Sequence, residues 1–311
     1  MNRLLVIVGP TAVGKSGLAM QLAQHFGCEI VSGDSMCVYH GLNIGAAKPS
    51  IADRQQIPHH LIDIRQPEEE FSVVDFQQLA AAAIESSNQR GRLPLLVGGT
   101  GLYVQALLEG YQFNPTRRNP ASALQNQFET EETSALHQRL SLLDPATAAR
   151  IHPHDRKRVL RALEIFSTEE QSISRTKTST DHGLLYDCLV LGITMERSEL
   201  YRRIDARVDQ MLADGLVEEV RALWQRDLTG QATALQAIGY KELIAWFQGK
   251  VSLEEAVSQI KQSSRRYAKR QLTWFRRMPY IHWLERTADD ETGAVVFHEA
   301  TRQVAEKFSI K

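Results

Sequence analysis

Apolar residues recur along this chain with two periods. Leu4-Leu5-Val6-Ile7-Val8 is an unbroken apolar run of strand length, the pattern of a strand covered on both faces in a parallel sheet. From Gly17 to Phe26 the apolar positions return at helical spacing, with Leu18, Leu22 and Phe26 on one face and Gly27 as a stop. Glu29-Ile30-Val31 reads as a short second strand, and Pro58 to Ile64 as another with a loop at each end. Val73, Phe76, Leu79, Ala80, Ala83 and Ile84 mark a helix from Ser72 to Arg90. Ser72 is its N-cap, and Asp75 three residues on completes a capping-box-like pattern. Leu93-Pro94-Leu95-Leu96-Val97 is a further buried strand, with a helix following from near Leu102. Strand and helix in alternation predict an α/β fold, a parallel sheet flanked by helices.

Between about Tyr111 and Gly183 the pattern changes. Strand signals vanish, and polar helical stretches are punctuated by Pro115, Pro120, Pro145 and Pro153. Cys188-Leu189-Val190-Leu191-Gly192-Ile193 then resumes a core strand. A parallel sheet that stops and resumes implies a mainly helical inserted subdomain. The expected division is residues 1–110 plus 184–311 for the core with its C-terminal helices, and 111–183 for the insert. From Ser198 to about Phe275 the chain reads as long helices, their faces marked by Ile204, Val208, Met211, Leu212, Leu216, Val220 and Leu223. After Thr287 no chemical signal is legible.

Composition narrows the classes. The chain has 311 residues, 43% hydrophobic and 23% charged, as a soluble globular protein does. Its net charge is −1, so a polyanionic partner must be met by a local patch and not by the overall field. Cys28, Cys37 and Cys188 are spaced neither as a disulfide framework nor as a zinc site, and His59-His60 and His152/His154 lack a third ligand at metal spacing. No apolar run approaches the length of a membrane span, and the first is only five residues long. The expectation is a cytoplasmic monomer without membrane contact.

Chemistry gathers at three strand ends. Gly9-Pro10-Thr11-Ala12-Val13-Gly14-Lys15-Ser16 is a G-x-x-x-x-G-K-[ST] loop between a strand and a helix, the context that makes this motif a phosphate cradle. Its backbone N–H groups and the helix N-terminus attract anions, Lys15 supplies a point charge, and the Ser16 hydroxyl is placed to ligate a Mg²⁺. The loop predicts a bound di- or triphosphate. Asp34 follows the second strand, at the edge where open α/β sheets hold ligands, and is a candidate to orient a nucleophile or accept its proton. Gly98-Gly99-Thr100-Gly101 is a second glycine-rich turn at the same edge. In most phosphate-loop nucleotidases that strand ends in an Asp which helps hold Mg²⁺; here Thr100 is the only polar side chain, a candidate to bond a phosphate oxygen or the nucleophile.

Two basic stretches add a different signal. Arg150 to Arg161 concentrates positive charge in the insert, and Lys261 to Arg277 does so again without one acid. With Tyr267, Trp274 and Phe275 interleaved, the second stretch is expected to contact a phosphate backbone and stack on bases.

These residues assemble into a family. Gly9 to Ser16, Ser32-Gly33-Asp34-Ser35-Met36, Gly45-Ala46-Ala47-Lys48-Pro49 and Gly98-Gly99-Thr100-Gly101-Leu102-Tyr103 resemble tRNA dimethylallyltransferases. So do Arg161-Ala162-Leu163-Glu164, Gln236 to Glu242 and Arg265 to Arg276, all in the family's order. The resemblance implies transfer of a dimethylallyl group from dimethylallyl diphosphate, on a P-loop NTPase-like core, to N6 of the adenine just 3′ of the tRNA anticodon. Gly9 to Ser16 would then hold the diphosphate as leaving group, Ser16 would ligate Mg²⁺, and Asp34 and Thr100 would be catalytic. The target base would be flipped out of the anticodon loop into a pocket. The resemblance assigns contacts with the anticodon stem-loop to Asp34, Ser35, Met36, Cys37 and Thr100. It extends them to Ser122, to Lys157, Arg158, Val159, Leu160 and Arg161, and to Gln236, Ala237, Ile238, Gly239, Tyr240 and Lys241. Arg265, Arg266, Lys269 and Arg270 of the basic stretch join this set. The chain departs from the family pattern at Cys37, where many members carry Gln, and at Asn119-Pro120-Ala121-Ser122-Ala123, where many carry an Arg after Asp-Pro.

Three other readings compete. An adenylate isopentenyltransferase uses the same loop with a free nucleotide, but does not need the long insert and the Lys261–Arg277 stretch. A small-molecule kinase with ATP would want the strand-terminal Asp that is missing after Val97. An RNA-binding module with a vestigial loop has no use for intact Lys15, Ser16, Asp34 and Thr100.

Overall fold

The computed structural model describes residues 1–113, 128, 130–169, 183–226, 232–290 and 292–310. It divides into two compact units, Met1–Leu108 with Leu184–Lys311, and Glu109–Gly183.

The first unit is built on β1 (Arg3–Val8), whose residues Leu4 to Val8 are all 0% exposed. The period-2 alternation of a strand sends Leu4, Val6 and Val8 into one hydrophobic core and Leu5 and Ile7 into another across the sheet. An apolar run without polar interruption is thus what a strand with two covered faces requires. After β1 come α1 (Lys15–Phe26), β2 (Glu29–Ser32), α2 (Ile51–Gln56), β3 (His59–His60), α3 (Val73–Gln89), β4 (Pro94–Gly98) and α4 (Gly101–Glu109). The Ser72 cap of α3 forms both bonds of the box: the Asp75 N–H donates to the Ser72 hydroxyl, and the Ser72 N–H to the Asp75 carboxylate. Gly27 ends α1 in the left-handed conformation.

The second unit contains α5 (Thr133–Leu143), α6 (Pro145–Ala148) and α7 (Arg156–Glu169) around Leu136, Leu140, Ala148, Val159, Ala162 and Leu163. His137 ties α5 to α6 and the turn that follows it, its Nε2 lying 3.1 and 2.9 Å from the carbonyls of Ala148 and Ile151.

The chain returns to the first unit through β5 (Asp187–Met195), α8 (Arg197–Ala213), α9 (Leu216–Trp224), α10 (Tyr240–Phe247), α11 (Leu253–Phe275), β6 (Ile281–Arg286) and α12 (Ala294–Phe308). The sheet order is β3-β2-β4-β1-β5-β6, and every neighbouring pair is parallel. Among the described residues no helix is long and apolar enough to cross a membrane.

Three differences from the sequence expectation have physical causes. The strand expected from Pro58 to Ile64 keeps only His59 and His60, because Leu61 and Asp63 take φ of 63° and 53°. Ile281 to Arg286 is a strand, although its apolar residues do not alternate with polar ones; it is an edge strand, and only Ile281 and Leu284 are buried. The stretch without a chemical signal includes α12, which buries Val296, Ala300, Val304 and Phe308 at four-residue spacing.

The sheet positions the site. In β2-β4-β1, Ser32 is level with Val97 and Val8 with Gly98, so three strands release their C-terminal loops side by side at one edge.

Candidate active site

Gly9 to Ser16 joins β1 to α1, with Gly14 (φ 105°) and Ala12 (φ 64°) both left-handed. A non-glycine residue in that region is held there by its surroundings, as phosphate loops do. The Lys15 ammonium folds back to donate to the Pro10 carbonyl at 2.7 Å. Burial pushes its pKa down to about 7, and Arg207 of α8 pushes it the same way; the opposing pull of Asp34 is smaller. Two cations held together beside a helix N-terminus form a site that an anion would stabilise.

The β2 and β4 exits are bound to each other. The Gly33 N–H donates to the Val97 carbonyl at 2.8 Å, and the Ser35 N–H to the Thr100 hydroxyl at 3.3 Å. A Cβ on Gly98 would collide with the Gly33 backbone, so this approach needs glycine. The Met36 N–H donates to Asp34 Oδ1 at 2.8 Å, which orients the carboxyl. Tyr267 of α11 shares side-chain hydrogen bonds with Thr100 and Gln271, and burial pushes its hydroxyl up to about 12, so it stays a neutral donor. Gln271 accepts from the Thr11 N–H and donates to the Gly99 carbonyl, both at 2.9 Å. It thereby fixes the phosphate loop to the β4 turn.

Two cavities meet at Asp34. The larger, about 670 Å³, takes in Lys15, Ser16, Ser32 and Gly98 with the less polar walls Met20, Ile30, Ala47 and Val97. The smaller, about 340 Å³, takes in Ser35, Met36, Gly45, Gln236 to Gly239, Lys241 and Arg270. Both are lined by Asp34, Thr11, Ala46, Arg207 and Tyr267. One carboxylate therefore faces the chamber beside Lys15 and Ser16 on one side and a second, mixed chamber on the other.

The family model described as IPP transferase matches residues 37–278. The tRNA dimethylallyltransferase of Geobacillus kaustophilus is 49% identical over 312 aligned positions, covering 100% of this chain and 98% of that one. The enzyme of the same name from Bacillus subtilis is 46% identical over 286, covering 91% of each. The chain belongs to the IPP transferase family. Among solved structures, the full-length tRNA isopentenylpyrophosphate transferase of Bacillus halodurans is 42% identical with a TM-score of 0.73, each chain covered to 99%. A eukaryotic dimethylallyltransferase caught acting on tRNA is 30% identical with a TM-score of 0.81, covering 96% of this chain and 78% of that one.

Within this member of the family, the candidates from the sequence fall into three groups. Gly9 to Ser16, Asp34, Ser35, Met36 and Thr100 converge at the sheet edge, with Gln236, Ala237, Ile238, Gly239, Lys241 and Arg270 around the smaller cavity. Cys37 is 6% exposed, its thiol directed at the Ala46 carbonyl and its pKa raised, chiefly by burial. It lies in the wall of the larger cavity and is no substitute for an amide. A second group is exposed on its own unit: Lys157, Arg158 and Arg161 on α7, Arg266 and Lys269 on α11.

The third group requires correction. Val159 and Tyr240, counted with the RNA-contacting runs, are 0% exposed, so their side chains serve the packing; Leu160 is half-buried. Arg265 is engaged by Asp205 of α8, which reduces the charge it offers a phosphate. Of the aromatics expected to stack on bases, Phe275 is 0% exposed and Trp274 packs over Gly101, while Tyr267 faces Asp34 and Thr100. Ser122 lies outside the described residues.

Lys48 and Gln271 lie inside blocks that carry the resemblance but received no individual role from the sequence, and Arg207 and Glu219 lie in no such block. Arg207 sits among Arg202, Arg203, Asp205 and Asp209, a pattern indistinguishable in sequence from a solvated helix face.

Proposed function

We propose that the chain transfers a dimethylallyl group from dimethylallyl diphosphate to N6 of the tRNA adenine at position 37, 3′-adjacent to the anticodon. The tRNAs are those reading codons that begin with U; the products are N6-dimethylallyladenosine and diphosphate. The observation that carries this reading is the place of Asp34, at the junction of the phosphate-loop cavity and the cavity lined by Met36 and Gln236 to Gly239. A donor held by its diphosphate in the first and a base inserted in the second meet at that carboxylate.

The chemistry follows. The amides of Ala12 to Ser16 with Lys15 and Arg207 bind the diphosphate and balance the charge that grows on it as the allylic carbon–oxygen bond breaks. The adenine N6 attacks that carbon, and its proton goes to Asp34, whose carboxyl the Met36 N–H orients. Thr100 supports the same centre, held by the Ser35 N–H and by Tyr267. Neutral N6 is a weak nucleophile, so proximity in two adjoining chambers supplies much of the acceleration. Cys37, Ala46 and Ala47 offer the hydrocarbon a wall of low polarity.

Among the described residues no three His, Cys, Asp or Glu side chains are grouped to hold a metal. Mg²⁺ takes few protein ligands beside phosphate oxygens and water. Ser16 would hold it, and when bound it would supply further charge neutralisation at the diphosphate. The exposed Arg266, Lys269 and Arg270 meet the RNA backbone.

The test incubates the protein with unmodified tRNA reading U-initial codons and radiolabelled dimethylallyl diphosphate, then digests the RNA. Labelled N6-dimethylallyladenosine is expected. Its absence, or equal labelling of free AMP, overturns the tRNA reading.

A further inference from the structure

The loop from Asn43 to Pro49 forms a partition between the two cavities. Gly45 and Ala46 line the smaller, and Ala46, Ala47, Lys48 and Pro49 the larger. The loop closes on itself as a turn, the Ala47 N–H donating to the Ile44 carbonyl at 2.9 Å and the Lys48 N–H to the Asn43 carbonyl at 3.0 Å. It belongs to no helix or strand, so its place between the cavities is decided by its bonds outward.

Its two ends are held differently. At one end Lys48, its side chain 2% exposed, is engaged by Asp63 at 2.5 Å and donates to the Tyr39 carbonyl at 2.5 Å and the Asn43 side chain at 3.3 Å. At the other end a carboxylate from a distant helix receives the backbone. Glu219 of α9 accepts the N–H groups of Asn43 at 2.7 Å, Ile44 at 2.8 Å and Gly45 at 3.0 Å. Its Oε1 also accepts the Tyr240 hydroxyl at 2.6 Å. Tyr240 is 0% exposed, and its ring fills the space where a Cβ on Gly45 would stand.

Tyr240 begins α10, directly after the Gln236–Gly239 run that forms another wall of the smaller cavity. Glu219 therefore bonds the two walls of that cavity to each other. Four hydrogen bonds converge on one carboxylate, and three of them come from consecutive amides that have no other acceptor in a helix or strand.

We propose that Glu219 is a positioning residue that sets the width of the acceptor cavity, with Tyr240 as its brace. The inference rests on the proposed function, in which this cavity receives the adenine. Glu219 touches neither reacting atom. It keeps the partition in its base-accepting position before RNA arrives, so that binding is not charged with ordering the loop. Without the carboxylate the three amides turn to water, the partition samples other positions, and only a fraction of molecules accepts the base.

The test uses the full chain and compares Glu219→Ala, Tyr240→Phe and Val220→Ala. Val220 is a 0% exposed core residue on the same helix and serves as a control for general destabilisation. For Glu219→Ala the KM for tRNA is expected to rise at least about tenfold, with the dissociation constant for dimethylallyl diphosphate changed less than about threefold. Tyr240→Phe is expected to move the tRNA KM in the same direction but less, because the three amide bonds remain. Val220→Ala is expected to lower the melting temperature without this split.

Equal losses for donor and acceptor in Glu219→Ala, or a Val220→Ala that raises the tRNA KM as much, overturn the positioning role. If Glu219→Ala does not fold, Tyr240→Phe decides: an unchanged tRNA KM overturns the proposal and a raised one supports it. A wild-type protein that transfers no label to tRNA overturns the function itself, a separate result read in the same assay.

Discussion

The most revealing perturbation of this site is a change of pH around Lys15. In the free protein its ammonium is held near 7, first by burial and then by Arg207, against an ordinary value of 10.5. A bound diphosphate supplies the missing counter-charge and returns the group toward its ordinary value. The sign follows directly. Above pH 7 the free site has lost the Lys15 proton, and binding must take it up again, so affinity falls as pH rises. With 7 for the free form and the ordinary 10.5 as the upper limit for the bound form, the dissociation constant for dimethylallyl diphosphate weakens by at most about fiftyfold from pH 7 to pH 9. At pH 8, binding takes up at most about 0.9 proton. Calorimetry in two buffers of different ionisation enthalpy measures that uptake. Lys15→Arg, charged throughout, removes the share of the slope and the uptake due to Lys15, and what remains there measures titration of the ligand. A wild-type uptake no greater than that of Lys15→Arg, or a slope equally steep in Lys15→Arg, refutes the account of a cation pair prepared for an anion.

Other outcomes follow from the same geometry. Asp34→Asn, nearly the same size but unable to take the N6 proton, is expected to lower kcat by roughly 10²- to 10⁴-fold while the donor dissociation constant hardly moves; unchanged turnover in a single-turnover assay removes Asp34 as base. Replacing Arg266, Lys269 and Arg270 together is expected to reduce the slope of log affinity for tRNA against log salt by about 2 to 3, whereas Arg265→Ala, already engaged by Asp205, changes it less. At the far edge of the sheet Glu29 is 4% exposed; burial alone would raise its pKa, but hydrogen bonds from Arg90, His60 and Ser87 outweigh burial and hold it at about 2. Its contribution, about 3 kcal/mol at most, is present above pH 4.5 and lost as pH falls toward 2. Denaturant titrations of wild type and Glu29→Gln should therefore converge in acid, and curves that stay parallel refute this.

The two buried strands β1 and β4 were legible because an apolar run flanked by glycine-rich turns has few other solutions. The phosphate loop was legible for a related reason: its chemistry is carried by consecutive backbone amides, so local sequence contains all of it. Asp34 and Thr100 could be placed at one edge because parallel strands must all end there. The edge strand β6 was not legible, since its buried residues Ile281 and Leu284 lie three apart and enter cores on opposite sides of the sheet, which breaks the alternation of a half-covered strand. The acidic partners of the basic stretch were hidden as well, since Asp205 sits on a different helix from Arg265.

Sequence alone determined the parallel α/β core, the strand–loop–helix context of Gly9 to Ser16 and the nearness of Asp34 to Thr100, because each depends on spacing along one or two adjacent elements. Tertiary structure alone decided the rest of the site. Arg207 reaches the phosphate loop from α8, Gln271 ties Thr11 to Gly99 from α11, and Glu219 gathers three loop amides from α9. Each acts across more than 150 positions of chain, as the 260 residues between Thr11 and Gln271 illustrate. No local pattern encodes such a contact, because the helix that delivers the side chain is shaped by its own core. Its functional face differs from a solvated one only by what the fold puts opposite.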